Sequence, residues 1–339
     1  MSVPCTTIAL TYKVYSDLTA VEAISAEWDR LLRVSPCNRA FGSAEWYMAS
    51  CRTDKYESFA PHTVVAMRGA EIVAILPLVI NSTEGVATIP NYCSDYCDIV
   101  ARGDNPSMVA GLLTHALLSH ESCRVMVLSM LREDSNCARA IPFISTPTID
   151  CRYRETEAYH YIKLPGSFDD YQASKSKNFR KSLKRVQLGI ENSDLRLQEL
   201  RPDELDPTEL PELCISMISA RQGEEFILRA ERIRPFLNEV LPRLFAKGSV
   251  RAFALGKGEQ IIALDICMTG AKSLCTWNGG FLAEAESWSP GTLLFAFGIR
   301  QAIDMDLEEY DFLRGDESYK RRWANGAHTV GELELVART

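Results

Sequence analysis

Two stretches decide the fold of this chain: Trp288-Ser-Pro-Gly-Thr-Leu-Leu294, and Tyr310-Asp-Phe-Leu-Arg-Gly-Asp-Glu-Ser-Tyr-Lys-Arg-Arg-Trp323. Ser289-Pro290-Gly291 is a helix-start pattern: a hydroxyl residue to cap, proline at the first helical position, then an apolar run. The run Leu293-Leu-Phe-Ala-Phe-Gly-Ile-Arg-Gln-Ala-Ile303 supplies the face that packs such a helix on a sheet. A helix start presents free backbone N–H groups, and Gly291 lets a ligand approach them, so Ser289, Pro290, Gly291, Thr292 and Leu293 can hold a phosphate. Beyond the helix, Tyr310-Asp-Phe-Leu313 reads as a short strand. The chain then turns at Gly315 and presents Tyr319 and Lys320.

Outward from there, the chain reads as two similar halves. The first opens with a β segment at Thr7–Tyr15 and a helix at Ala20–Val34, whose Val21, Ile24, Trp28, Leu31 and Leu32 fall at helical spacing. A helix at Ser43–Cys51, strands at Thr63–Met67 and Ile72–Ile80, a β stretch near 86–101, a helix at Ser107–Leu118 and a strand at Arg124–Met130 complete it. The second opens with a strand at Tyr159–Leu164 and a basic helix over 168–188, then Leu195–Leu200 and helices near 208–221 and 231–246. Strands Val250–Leu255, Gln260–Thr269 and Ser273–Asn278 lead to the Ser289 helix, the Tyr310 strand and a closing strand at Thr329–Val336. The internal echo is Arg68-Gly-Ala-Glu-Ile-Val-Ala-Ile75 against Lys257-Gly-Glu-Gln-Ile-Ile-Ala-Leu264, each a turn glycine before a buried strand.

Length and composition agree with this division. At 339 residues the chain suits two domains of about 150 residues each, with a soft boundary placing 1–155 in one and 156–339 in the other. A hydrophobic fraction of 46% and a charged fraction of 24% are those of a globular protein. No apolar run reaches the ~20 residues that span a bilayer, and the N-terminus lacks the basic start and apolar core of a signal peptide. The eleven cysteines are scattered without a framework, which suits reduced thiols and a cytoplasmic location. A net charge of -8 argues against an extended nucleic-acid surface.

The residues Ser289-Pro290-Gly291, Asp311-Phe312, Gly315, Tyr319-Lys320 and Trp323, in this element order, resemble the C-terminal half of GNAT (Gcn5-related N-acetyltransferase) acyltransferases. More narrowly they resemble the two-domain branch of FemAB-type peptidyltransferases and CelD-like proteins of cellulose and exopolysaccharide biosynthesis. The resemblance implies an α/β fold with a mixed (α+β) sheet in two tandem GNAT-like domains packed together. It implies that the second half binds the donor and catalyses, while the first is a degenerate copy on the acceptor side. By family position Lys320 matches a lysine implicated in FemAB-type transfer. One departure stands out: most GNAT enzymes wrap the coenzyme A pyrophosphate with a Gln/Arg-x-x-Gly-x-Gly/Ala loop. This chain has the single Gly291 there, and the FemAB branch uses aminoacyl-tRNA as donor.

Each candidate has a chemical reading and a structural one. Attack on a thioester or ester builds negative charge on the carbonyl oxygen, which Lys320 can stabilise. The Tyr319 hydroxyl can return a proton to the leaving group. The same segment also reads as a solvated charged turn in which Tyr319 and Trp323 pack. Asp265 and Asp311 are carboxylates inside apolar strands, each a candidate general base or a structural ion pair. Between Lys175 and Arg185 lie six cations and no acids. Lys177, Arg180 and Lys181 are either a docking face for ligand phosphates or a solvated helix face. Cys93-x-x-x-Cys97 with Asp95 and Asp98 lacks zinc-ligand spacing and a nearby histidine, so no metal is expected.

The leading expectation is an acyltransferase moving an acyl group, acetyl first, from acyl-coenzyme A to an amine or hydroxyl of a small or saccharide acceptor. The alternatives are an aminoacyl-tRNA-dependent transferase of FemAB type and a non-catalytic GNAT-like binding protein.

Overall fold

Two β-hairpins show why the halves resemble each other. β2 (Ala60–Arg68) turns into β3 (Glu71–Asn81), and β9 (Val250–Lys257) turns into β10 (Gln260–Thr269). Each two-residue loop starts with a glycine at positive φ, Gly69 at 64° and Gly258 at 59°, as a type II′ turn requires. Each hairpin then carries a bulge at the same place. The pairs run Arg68↔Glu71, Met67↔Ile72, Ala66↔Ala74 in one and Lys257↔Gln260, Gly256↔Ile261, Leu255↔Ala263 in the other. The eight-residue echo in the sequence is therefore an echo of register as well.

The computed structural model describes residues 9–144, 147–191, 193–222 and 224–338, without the side chains of 221–229. Two compact units divide the chain: Met1–Glu157 with Thr329–Thr339, and Ala158–His328. In the first half β1 (Leu10–Tyr15), α1 (Leu18–Glu22), α2 (Ser25–Val34) and α3 (Ala44–Cys51) precede the β2–β3 hairpin. After it come β4 (Val86–Thr88), β5 (Val100–Ala101), α4 (Pro106–Leu118), β6 (Val125–Arg132), α5 (Asn136–Ala140) and β7 (Ile149–Lys163). The second half runs α6 (Phe168–Ser174), α7 (Lys177–Glu191), β8 (Leu195–Leu200), α8 (Leu210–Gln222) and α9 (Glu224–Ala246) up to the β9–β10 hairpin. It continues with β11 (Ser273–Phe281), α10 (Pro290–Asp304), β12 (Glu309–Asp311), α11 (Ser318–Trp323) and β13 (Gly326–Ala337).

Within each unit the strand pairs of printed register are antiparallel except for one parallel pair, where a helix crosses over. β4 pairs parallel with β6 across α4, and β11 pairs parallel with β12 across α10. Side chains of β2 and β3 alternate between two cores in the first unit. Val64, Leu76 and Leu78 pack with the α4 residues Met108, Leu112 and Leu113. Val65, Ile75 and Val79 pack with Trp28, Leu31 and Tyr47 on the other face. Both faces of these strands are covered, so their sequences run apolar without alternation. In the second unit, α10 lays Leu293, Leu294, Ala296 and Ile299 against Phe253, Leu255 and Tyr310. On β11, a Cβ at Gly280 would run into the Met217 carbonyl of α8, so this close approach requires glycine.

The unit boundary falls inside two strands. The end of β7 lies in the second unit and pairs antiparallel with β12, Tyr310 opposite Ile162. The end of β13 lies in the first unit and pairs antiparallel with β6, Leu333 opposite Leu128. Sequence reading misses the start of β7, because Ile149–Ala158 is polar. Arg152 and Arg154 of that stretch reach Glu334 and Glu332 of β13 at 3.4 and 3.1 Å.

Three further boundaries differ from expectation. The helix expected over 20–34 breaks at Ala23-Ile24 into α1 and α2, and the basic helix breaks at Lys175, whose backbone is extended. The β stretch near 86–101 is interrupted between Thr88 and Val100. Thr7 and Ile8 of the expected first strand lie outside the described residues. Among the described residues no helix is long and apolar enough to cross a membrane, and the ten described cysteines are unbridged.

Candidate active site

The start of α10 differs from the sequence expectation in one respect. Ser289 occupies the cap position, yet its backbone is left-handed (φ 54°, ψ 56°) and its hydroxyl caps nothing. The cause is local: Ser289 also closes the 3-10 turn over Ala283–Trp288, which fixes its backbone before the helix begins. Its carbonyl accepts from Thr292 N–H at 3.0 Å and Leu293 N–H at 3.3 Å. Pro290 has no N–H, so Gly291 carries the first-turn donor with no backbone acceptor among the described residues. A Cβ at Gly291 would meet nothing within 4 Å.

The equivalent helix of the first unit satisfies its first turn differently. α4 also starts with proline; its Asn105 side chain accepts from Met108 N–H at 3.0 Å, while Ser107 N–H, at the place of Gly291, likewise has no backbone acceptor among the described residues. The segment after β6, Ser135-Asn-Cys-Ala-Arg-Ala140, holds no tyrosine or lysine. Among the described residues, the second unit is the one that combines a glycine at the second helical position with a Tyr-Lys pair after the next strand.

Aromatic packing joins three of the expected site segments. Tyr319, 38% exposed, stacks on Phe295 of α10 with centroids 5.7 Å apart and an 11° interplanar angle. Trp323 meets Phe295 edge-on at 5.9 Å and Phe179 of the basic helix at 4.9 Å. At the other end of α7, a Cβ on Gly189 would lie 3.8 Å from the Trp288 ring, next to Ser289. α7 thus runs beside α10 and α11. It buries Phe179 and Leu183 and exposes Lys177, Arg180 and Lys181.

Lys320 turns inward. It is 5% exposed, its Nζ donates to the Arg314 carbonyl, and it pairs with Glu317 at 3.1 Å. An ammonium has three donors, and these two partners engage two of them. Lys175, which the sequence shows only as the first cation of the basic run, donates to the carbonyls of Trp323 and Ala324 at the end of α11. Burial pushes its pKa down to about 8. Also missed was His160 on β7, whose Nε2 lies 2.7 Å from Asp316; Arg321 holds the same carboxylate at 2.6 Å. The hydrogen bond from His160, then Arg321, keeps the Asp316 pKa below its ordinary value.

Asp265 and Asp311 do not share one environment. Asp265, 5% exposed on β10, accepts from the Thr276 hydroxyl at 2.7 Å, the Tyr310 hydroxyl at 3.4 Å and the Cys267 thiol at 3.5 Å. Burial outweighs these bonds and raises its pKa to about 6. Asp311 is fully buried and accepts from Leu313 N–H at 2.7 Å. It lies with Glu309 and His328 in a group whose donor atoms are all within 4.8 Å of one another and could hold a metal ion. Spacing in the sequence gave no hint of this group, because His328 comes from a different strand.

β11 and β12 pair only from Ser273↔Glu309 to Cys275↔Asp311, whereas β11 runs on to Phe281 with a bulge at Trp277. The parallel pairing thus ends on the side where α10 begins and where Asp311 leads into Phe312 and the α11 turn.

Residues 173–321 match the family described as acetyltransferase (GNAT) domain. No curated protein matches the chain. Among solved structures, FemX shares the fold at 10% identity with a TM-score of 0.64, over 91% of this chain and 95% of FemX. L-PGS from Bacillus licheniformis matches at 10% identity and a TM-score of 0.58, over 91% of this chain and 90% of its own. So does a C-terminal domain (DUF2156) from Agrobacterium fabrum, named for a lysylphosphatidylglycerol synthetase, at 12% identity and 0.56, over 91% and 92%.

Proposed function

We propose, for a chain with a GNAT acetyltransferase domain at 173–321 and the two-unit fold of the FemAB-like branch, that it transfers an acyl group to an amine or hydroxyl. The donor is acyl-coenzyme A, acetyl first, and the acceptor is a small or saccharide molecule. The observation that carries this reading is the start of α10, where Gly291 N–H has no backbone acceptor among the described residues and a Cβ at that position would meet nothing within 4 Å.

In this reading a donor phosphate lies at the start of α10, drawn by the Gly291 N–H and the positive end of the helix. The donor carbonyl lies toward α11. Lys320 stabilises the oxyanion as the acceptor attacks, and the Tyr319 hydroxyl protonates the departing thiolate. Asp265 or Asp311 takes the acceptor proton. Residues 1–155 shape the acceptor side.

A second reading, aminoacyl transfer from a charged tRNA, is favoured by a specific observation. The α10 start offers one backbone donor in place of a phosphate-wrapping loop, and α7, which runs beside α10, exposes Lys177, Arg180 and Lys181 at its α11 end. The fold shared with FemX and with a domain named for a lysylphosphatidylglycerol synthetase agrees with that donor.

Calorimetric titration with acetyl-coenzyme A separates the readings. Saturable heat that Gly291→Val abolishes supports the coenzyme A donor, since the valine occupies the space a phosphate oxygen needs. Absence of heat and of thermal shift removes that reading. Salt-dependent tRNA binding, lost on replacing Lys177, Arg180 and Lys181 by Gln, would then support the second.

A further inference from the structure

We propose that Glu309, Asp311 and His328 form a binding site for one divalent transition-metal ion, zinc(II) in the first instance. Glu309 and Asp311 alternate along β12 and so point to one face of the strand. His328, at the start of β13, meets them there, with Nε2 3.0 Å from a Glu309 oxygen. The three donor atoms lie within 4.8 Å of one another. Tetrahedral zinc with bonds near 2.0–2.1 Å needs ligand atoms roughly 3.3 Å apart. Small side-chain rotations on fixed strands cover that difference.

The ligand chemistry selects the ion. Two carboxylates and an imidazole, without sulfur, suit zinc(II), a borderline ion, rather than calcium, which takes six to eight oxygens. The surroundings already orient the ligands, as outer-shell groups do around metals. The His328 ring is stacked on Tyr161 at 4.0 Å and 9°, and Leu313 N–H holds an Asp311 oxygen at 2.7 Å. Asp311 is fully buried and the His328 side chain 7% exposed, whereas the Glu309 side chain, at 17%, is the ligand nearest solvent and the way in. On binding, any proton on His328 Nε2 goes to solvent, and the ion takes its place between imidazole and carboxylates. Three protein ligands leave one position for water. The ion clamps β12 to the start of β13.

The test uses the full-length protein, stripped with chelator and dialysed. One equivalent of zinc(II) should remain bound after gel filtration by elemental analysis. Zinc in ~100-fold excess over Kd should raise Tm by about 5 °C. Because the chain has eleven cysteines, cobalt(II) serves as a reporter of ligand type: a tetrahedral visible spectrum without sulfur-to-cobalt charge transfer is expected. Both effects should vanish in His328→Gln and in Glu309→Gln, the latter chosen because its partly exposed position tolerates the change. No retained metal and no Tm shift in the parent overturns the proposal and leaves an ion-pair network. Unchanged metal binding in a folded Glu309→Gln or His328→Gln protein, or a thiolate charge-transfer band, also overturns it.

Discussion

Lys320 is held by its own turn, and that makes its substitution informative. Lys320→Met keeps the bulk of the stem and removes the charge that now meets the Arg314 carbonyl and Glu317. Turnover should fall about 10²–10³-fold, the usual loss of one oxyanion-stabilising group, with donor affinity nearly intact. Tyr319→Phe should cost less at high pH, where a thiolate leaves without needing a proton. Turnover and Tm measured together decide the matter: a lysine that only ties the turn would lower Tm and impair donor binding and turnover in step. Asp265 gives a second prediction with a definite sign. Its folded pKa of about 6 exceeds the ordinary 3.8, so the folded state binds more protons between those values. Stability from this group is therefore present below pH 3.8 and is lost as pH rises toward 6. Asp265→Asn should be more stable than the parent at pH 8, by on the order of 2 kcal/mol, and the gap should close near pH 4 in denaturant titrations. Equal stability at both pH values would contradict the buried ionised carboxylate. If activity survives in the stabilised variant, Asp265 is structural and not the base.

At the level of elements, the helix start at 289–291 was legible because proline and the apolar run fix where α10 begins. Its cap was not, because the conformation of Ser289 is set by the 3-10 turn before it rather than by its own preference. Paired alanine substitutions expose the difference between the two related helices. Asn105→Ala removes a real cap and should cost about 1 kcal/mol; Ser289→Ala removes no hydrogen bond and should stay within about 0.5 kcal/mol. A Ser289 loss as large as that of Asn105 would mean the hydroxyl caps the helix in solution after all. The hairpin echo was legible for a similar reason to the α10 start: a glycine at positive φ and a buried strand leave a mark in sequence. The Glu309–Asp311–His328 group, the His160–Asp316 bond and the Lys175 cap on α11 were not. Each joins residues whose proximity depends on strand pairing or on helix packing, and neither is encoded in local spacing.

Across the whole molecule, the order of elements repeats, β1–β6 with α4 answering β8–β12 with α10, and that repetition was readable from periodicity. What periodicity could not reveal is which strand completes each unit. β13 is the last strand in sequence, yet from residue 329 it belongs with the first unit, where it pairs with β6. The polar alternation of Arg152, Arg154, Glu332 and Glu334 has meaning only once β7 and β13 are neighbours. A fragment ending at residue 157 therefore lacks a strand of its own sheet. It would leave β6 an open edge beside Leu128 and Leu131, both fully buried in the intact chain, and an unpaired apolar edge invites aggregation. Such a fragment should melt without a cooperative transition and should associate as concentration rises. Joining residues 326–339 to it through a flexible Gly-Ser linker should restore both the transition and a monomeric state, because the linker need only deliver the strand to β6. Circular dichroism melting and sedimentation of the two fragments provide the comparison. A 1–157 fragment that already melts cooperatively, with the same Tm as the linked version, would show that β13 adds nothing to the stability of the first unit.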